Sequence, residues 1–207
     1  MEIVRRRTMT LILKTVLDAM WYLSLVGLGL VGLIAVGSVF LDGLQTTTIP
    51  VVFELEEASY TIKSDKLGVD TAALGRATAE MTFDSLETNL FQINLLIAVF
   101  GLLITAWMLF NLRGVFGASL SGTPFVFSNV GRIRWIGIAI IAGELLQSLG
   151  IFLEQYFVMQ TFTSPGIQFG ASVDIQVSSL IAGFAVIVLS EVFRLGTRAE
   201  EAQASSI

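Results

Sequence analysis

Four runs of nineteen to twenty-five residues in this chain are almost wholly apolar, and no other feature limits its fold as much. They cover 19–41 (AMWYLSLVGLGLVGLIAVGSVFL), 90–112 (LFQINLLIAVFGLLITAWMLFNL), 135–159 (WIGIAIIAGELLQSLGIFLEQYFVM) and 177–195 (VSSLIAGFAVIVLSEVFRL). A bilayer's hydrocarbon core is about 30 Å thick and a helix rises about 1.5 Å per residue, so each run can cross as a helix. The first two contain no charge. The third is interrupted by Glu144, Gln147 and Glu154, and the fourth carries Glu191 and Arg194 in its last turns. Composition agrees: 14% of residues are charged, where soluble domains carry about 25%. The expected fold class is membrane all-α, with four transmembrane helices. Arg5, Arg6 and Arg7 before the first run raise a cleaved secretory signal as an alternative, but a signal's apolar region is about 7 to 15 residues. This run is longer and reads as an anchor.

Lys and Arg set the orientation, because segments rich in them stay cytoplasmic. Segment 1–18 has Arg5, Arg6, Arg7 and Lys14; segment 113–134 has Arg113, Arg132 and Arg134; segment 196–207, with the end of the fourth run, has Arg194 and Arg198. The alternate segments, 42–89 and 160–176, hold Lys63, Lys66 and Arg76 between them. Both termini are therefore expected in the cytoplasm of a cell-membrane protein, with 42–89 and 160–176 outside. The first run stops at Asp42-Gly43.

The outer segments show strand chemistry. TIPVVFELEEASYTIK sets Val52, Leu55, Tyr60 and Ile62 among polar residues, and ATAEMTFD alternates Ala77, Ala79, Met81 and Phe83 with Thr78, Glu80, Thr82 and Asp84. PGIQFGASVDIQV alternates Ile167, Phe169, Val173, Ile175 and Val177 with mainly polar residues. A small β-rich extracytoplasmic cap from both loops is expected, with a helical turn near Val69–Leu74; solvated linkers are the alternative. Glu54, Glu56 and Glu57 are expected to solvate an outer face rather than hold calcium. On the other side, Pro124 should turn the chain, and Ser128 or Asn129 should cap a helix starting near Val130.

SGTPFVFSNVGRIRWIG (121–137), followed by VIVLSEVFRLG (186–196), resembles the two signature regions of domain-of-unknown-function family 2975, small prokaryotic four-helix integral membrane proteins. The resemblance rests on Gly122, Pro124, Phe125, Asn129, Arg132, Arg134, Ile136, Gly137, Glu191, Val192, Phe193, Arg194 and Gly196. Leu195 departs from the second basic residue often found there, and EEAQASSI lacks the hydrophobic-Thr-Val ending common in relatives. Many relatives are encoded beside a small helix-turn-helix regulator, so the resemblance implies the membrane member of a regulatory pair.

Cysteine and histidine are absent, which removes thiol nucleophiles, Cys/His zinc sites and every His-dependent triad. No phosphate-binding glycine loop or carboxylate-rich metal motif is present, so no enzyme activity, cofactor or metal is expected. Glu144 is the sharpest candidate, because an ionised carboxylate at mid-membrane is costly. With Gln147, Ser148, Ile151, Glu154 and Gln155 it forms a polar stripe. The stripe reads either as a protonated Glu144 donating a hydrogen bond to a neighbouring helix or as part of a proton- or cation-coupled path, which Gln92 and Asn94 could join. Glu191 and Arg194, three apart, should pair and lie within reach of Arg132, Arg134 and Asp18, clamping three helix ends. Small residues at Ser179, Gly183 and Ser190, at Ala139 and Gly143, and at Gly27, Gly32 and Gly37 should let helices approach closely or support a homo-oligomer. Trp21, Tyr22, Trp107, Trp135 and Tyr156 fit aromatic belts. The functional expectation is a non-enzymatic sensor or membrane partner of a small cytoplasmic DNA-binding regulator, captured on Arg113, Arg132, Arg134 and Arg194. The competing class is an oligomeric transporter or channel using Glu144. Membrane lipid is an expected partner and direct nucleic-acid binding is not.

Overall fold

The computed structural model describes residues 2–37, 47–55, 61–64, 69–73, 76–83, 88–120 and 126–204. Several sequence features lie outside these residues: the end of the first apolar run at 38–41, Asp42-Gly43, Glu56, Glu57, Tyr60, Lys66, Leu74, Asp84, Gly122, Pro124 and Phe125. The elements run α1 (Glu2–Gly37), β1 (Thr47–Leu55), β2 (Thr61–Ser64), β3 (Val69–Ala73), β4 (Arg76–Phe83), α2 (Thr88–Leu120), α3 (Phe127–Thr161), β5 (Ile167–Gly170) and α4 (Val177–Ala204). Each helix contains a segment long and apolar enough to cross a membrane: Leu11–Gly37, Phe91–Leu120, Phe127–Thr161 and Val177–Ala199. The protein is a multi-pass membrane protein.

The helices outrun the apolar stretches inside them. α1 starts at Glu2 because residues 2–26 contain no Gly or Pro to interrupt it. α2 continues through Arg113 to Leu120, and α3 begins at Phe127, so most of segment 113–134 is helical rather than loop. Ser128 and Asn129 therefore stand inside the first turn of α3, where the Asn129 amide donates to the Val126 carbonyl at 2.9 Å. The expected start near Val130 is three residues too late.

Two compact units result, a helical unit of 1–36, 95–146 and 175–207 and a sheet unit of 37–94 and 147–174. In the helical unit, α3 and α4 meet backbone to backbone. A Cβ at Gly137 would stand 2.7 Å from the Gly183 carbonyl oxygen, and one at Gly183 would stand 2.9 Å from that of Gly137. Glycine is required at this crossing because no larger residue leaves room for the facing helix. Gly27 faces Leu102 of α2 at ordinary contact distance, while Gly32 and Gly37 face open space. Ser190 of α4 is fully buried and Ala139 of α3 nearly so. Much of the outward surface is apolar, with Leu23 and Leu33 each 70% exposed, as lipid contact demands.

In the sheet unit, β1 is the middle strand of an antiparallel sheet ordered β4-β1-β5. Ile49 pairs with Met81 and Val51 with Ala79, while β5 pairs only from Val52 to Leu55. Pro50 thus lies where β1 has one neighbour, the half of a strand that can spare an amide hydrogen. Ser164-Pro165-Gly166-Ile167 turns the chain into β5. The Ile167 amide reaches the Ser164 carbonyl at 3.3 Å, and Gly166 takes φ 77°, the positive value that the third position of a type II turn needs. Ile49, Val51 and Val158 form a buried core with Phe53, Met81, Phe83, Phe157, Phe162 and Phe169 packed around it. A separate two-stranded sheet pairs β2 with β3, Thr61 opposite Ala73. Residues 69–73 are therefore strand and not the expected helical turn. The β-branched Val69 and Thr71, with a partner strand at 61–64, outweigh the helical tendency of Ala72 and Ala73.

Candidate functional site

Charged residues of the helical unit gather in two groups. In the first, Arg113 of α2 donates from Nε to Asp18 of α1 at 2.5 Å. Its guanidinium carbon stands 4.4 Å from the centroid of Trp21 and 5.7 Å from that of Tyr22. Trp21 and Tyr22 themselves pack edge to face at 5.1 Å. The arginine is thus neutralised by a carboxylate and held near the ring faces, an arrangement that favours guanidinium over ammonium.

The second group joins α3 to α4. Glu191 accepts from Arg194 Nε at 2.7 Å and also from its Nη2, and its other oxygen lies 3.8 Å from Arg134. The expected Glu191–Arg194 pair is present and reaches Arg134. Asp18 is engaged by Arg113 instead, so one expected clamp is two separate ones. Arg132 occupies a third position. Its Nη1 donates to Asn129 Oδ1 at 3.0 Å, and its guanidinium crosses α2 at Gly114, where a Cβ would come within 2.6 Å of Nε. Of the four arginines expected to face a partner, Arg134 is exposed, Arg132 and Arg194 are half-buried, and Arg113 is occupied.

The polar residues of α3 serve the chain that leads into α4. In the helical unit, Glu144 is buried and its Oε1 accepts from the backbone amide of Gln176 at 2.7 Å. Gln176 directly precedes α4, and its carbonyl accepts from Ser179 at 3.0 Å, opening the helix. A carboxyl oxygen from another helix therefore stands at the N-terminal end of α4, where free amides and the helix dipole favour an acceptor. The partner seen for Glu144 Oε1 is thus a backbone amide at the start of α4. In the sheet unit, Ser148 donates to the Asp174 carbonyl at 2.6 Å, and Gln155 Oε1 accepts from the Ser172 amide at 2.8 Å. Glu154 is hydrogen-bonded to Asn94 of α2. Gln147 and Gln92 are exposed, so neither belongs to a buried polar line. Among the described residues, no three acids converge on a point that could hold a metal ion.

Some partners were not read from the sequence, notably Gly114 under Arg132 and the chain 172–176 under Gln155, Ser148 and Glu144. The i,i+3 spacing of Asn129 and Arg132 was a local signal for that pair, but nothing local announces which backbone a side chain will meet.

Residues 61–207 match the family model described as protein of unknown function (DUF2975). The chain belongs to the DUF2975 family. α1 and β1 precede the matched region, and the two signature runs both lie inside it. In this DUF2975 protein those runs come together: Arg134 and Gly137 of the first meet Glu191 and Ile187 around the second. Comparison with curated proteins and with solved structures returns no match.

Proposed function

We propose that this DUF2975 protein is a non-enzymatic sensor or membrane partner of a small cytoplasmic regulator, with both termini in the cytoplasm of a cell-membrane protein and segments 42–89 and 160–176 outside. The observation that carries the reading is the charge balance around Glu191. Arg194 and Arg134 both lie against this one carboxylate, so two positive charges meet one negative among these described side chains, where a soluble acidic surface can be captured. The distribution of Lys and Arg supports the orientation, and the pairing of relatives with helix-turn-helix regulators supports the kind of partner. Movement of α3 against α4 would alter how Arg134 and Arg194 share Glu191, and so what they present. The transporter reading has less support, since Glu144 Oε1 is committed to the Gln176 amide and Gln147 is exposed.

The test is crosslinking in native membranes, purification through a C-terminal tag and mass spectrometry. Recovery of a small DNA-binding protein, reduced in an Arg134→Ala/Arg194→Ala double variant, is expected. No recovered cytoplasmic protein, with the double variant behaving as wild type in the host, overturns the reading. Because the chain has no cysteine, orientation can be read from single replacements. Gln168→Cys should react with an impermeant maleimide added to intact cells, and Ala199→Cys should react only after lysis.

A further inference from the structure

The seam between α2 and α3 in the helical unit contains an apolar groove of about 370 Å³. Leu103 and Trp107 line one wall and Trp135, Ile138, Ala139 and Ala142 the other. A Cβ at Gly143 would stand 3.9 Å from Ile104, so the helices come together there. Toward the other end of the seam, the indoles of Trp107 and Trp135 meet edge to face at 6.4 Å. Beyond the indoles, Arg132 lies across Gly114 with Asn129 holding one of its nitrogens. Arg134 sits one helical turn from Ile138 on the same face of α3 and is 52% exposed.

This sequence of chemistries along one seam is apolar slot, indole pair, arginine. A slot with such walls on a membrane-crossing helix pair offers water no hydrogen bond and is filled by hydrocarbon. Indoles settle where acyl chain gives way to headgroup, since one edge is apolar and the N–H needs an acceptor. Guanidinium groups recognise phosphate oxygens in a two-pronged geometry. The charge balance has the matching sign: once Arg113 and Asp18 have neutralised each other, Lys14, Arg132, Arg134, Arg194 and Arg198 stand against Glu191 among the described side chains of this end. We propose that the α2–α3 seam is a binding site for one anionic phospholipid, with an acyl chain in the groove and its phosphate on Arg132 and Arg134. The lipid would bridge the two helices and tie the DUF2975 signature arginines to the composition of the bilayer. The site requires no soluble partner, so it stands or falls apart from the regulatory reading.

The test is native mass spectrometry of the delipidated full-length protein in detergent, given equal amounts of dioleoyl-phosphatidylglycerol and dioleoyl-phosphatidylcholine. The wild type should retain one phosphatidylglycerol with at least a tenfold preference. Ala142→Phe, which fills the groove from a half-buried position, should lower retention of both lipids at least tenfold, and Ala142→Leu, a smaller filling at the same place, should do so by a lesser factor. Arg132→Gln/Arg134→Gln should keep lipid bound but bring the preference within twofold. Equal retention of the two lipids by the wild type overturns the proposal. So does wild-type retention in both folded groove variants, and so does a dimer mass in place of the lipid adduct, which would give the groove to a second copy.

Discussion

In the sheet unit the deepest side chains include Ile49 at 0%, Val158 at 1% and Val51 at 3% exposure, whereas in the helical unit Asn129 and Ser190 are both at 0%. The exposed residues of strands and helices differ as well: Thr48, Pro50, Glu54 and Glu80 are exposed on the strands, and Leu23, Leu33, Ile181 and Val188 on α1 and α4. One chain thus follows two sorting rules. The sheet buries apolar groups, which is what water enforces. Hydrocarbon exerts no such force between helices, so the bundle is joined by close glycine contacts, hydrogen bonds and ion pairs. Mutations should therefore hurt the two units for different reasons.

The largest effect is expected where the water-type rule holds. Ile49→Ala should cost about 3 kcal/mol and speed hydrogen exchange across 47–55 and 76–83, while the amides around the Gly137–Gly183 crossing keep their protection. Loss of protection at both would merge the units into one cooperative whole. Slightly smaller, and specific to the bundle, is Gly137→Leu, at about 2 to 3 kcal/mol from overpacking, read by unfolding in detergent. Gly32→Leu, whose added atoms meet nothing in the chain, should leave the curve unchanged; an equal loss would show that glycine matters for something other than close approach.

Glu144→Ala should cost about 2 kcal/mol, because the Gln176 amide loses its acceptor. Glu144→Gln keeps an acceptor oxygen and should cost less than half as much; equal losses would mean that the charge, not the hydrogen bond, sustains the start of α4. Arg113→Lys should cost about 1 kcal/mol, since an ammonium pairs with Asp18 but stacks less well by Trp21. Arg134→Gln should leave stability unchanged, because its ion pair with Glu191 is long and largely exposed. A clear loss would make Arg134 a structural clamp instead of a presented charge.

Much of this comparison could be read without coordinates. Four membrane-length helices follow from apolar runs, and strands at 47–55, 76–83 and 167–170 follow from alternation and from β-branched and aromatic content. The Glu191–Arg194 pair follows from its spacing. The errors share a cause. Asp18 and Glu191 stand at the same end of apolar runs, yet equal depth does not select a neighbour. Periodicity sets Gln147 beside Glu144, but a side chain is buried only where another element covers it.

Membrane class, the number of helices and the β character of the connections follow from hydrophobic length and period, which are local. The packed chain alone selects Gly137 and Gly183 as the crossing point, neutralises Arg113 beside Trp21 while presenting Arg134, and brings Glu144 to the first turn of α4. Those facts depend on which helix lies beside which. In a bilayer every apolar face is equally content against lipid, so the choice of neighbour falls to a few small and polar residues whose partners are far away in the chain.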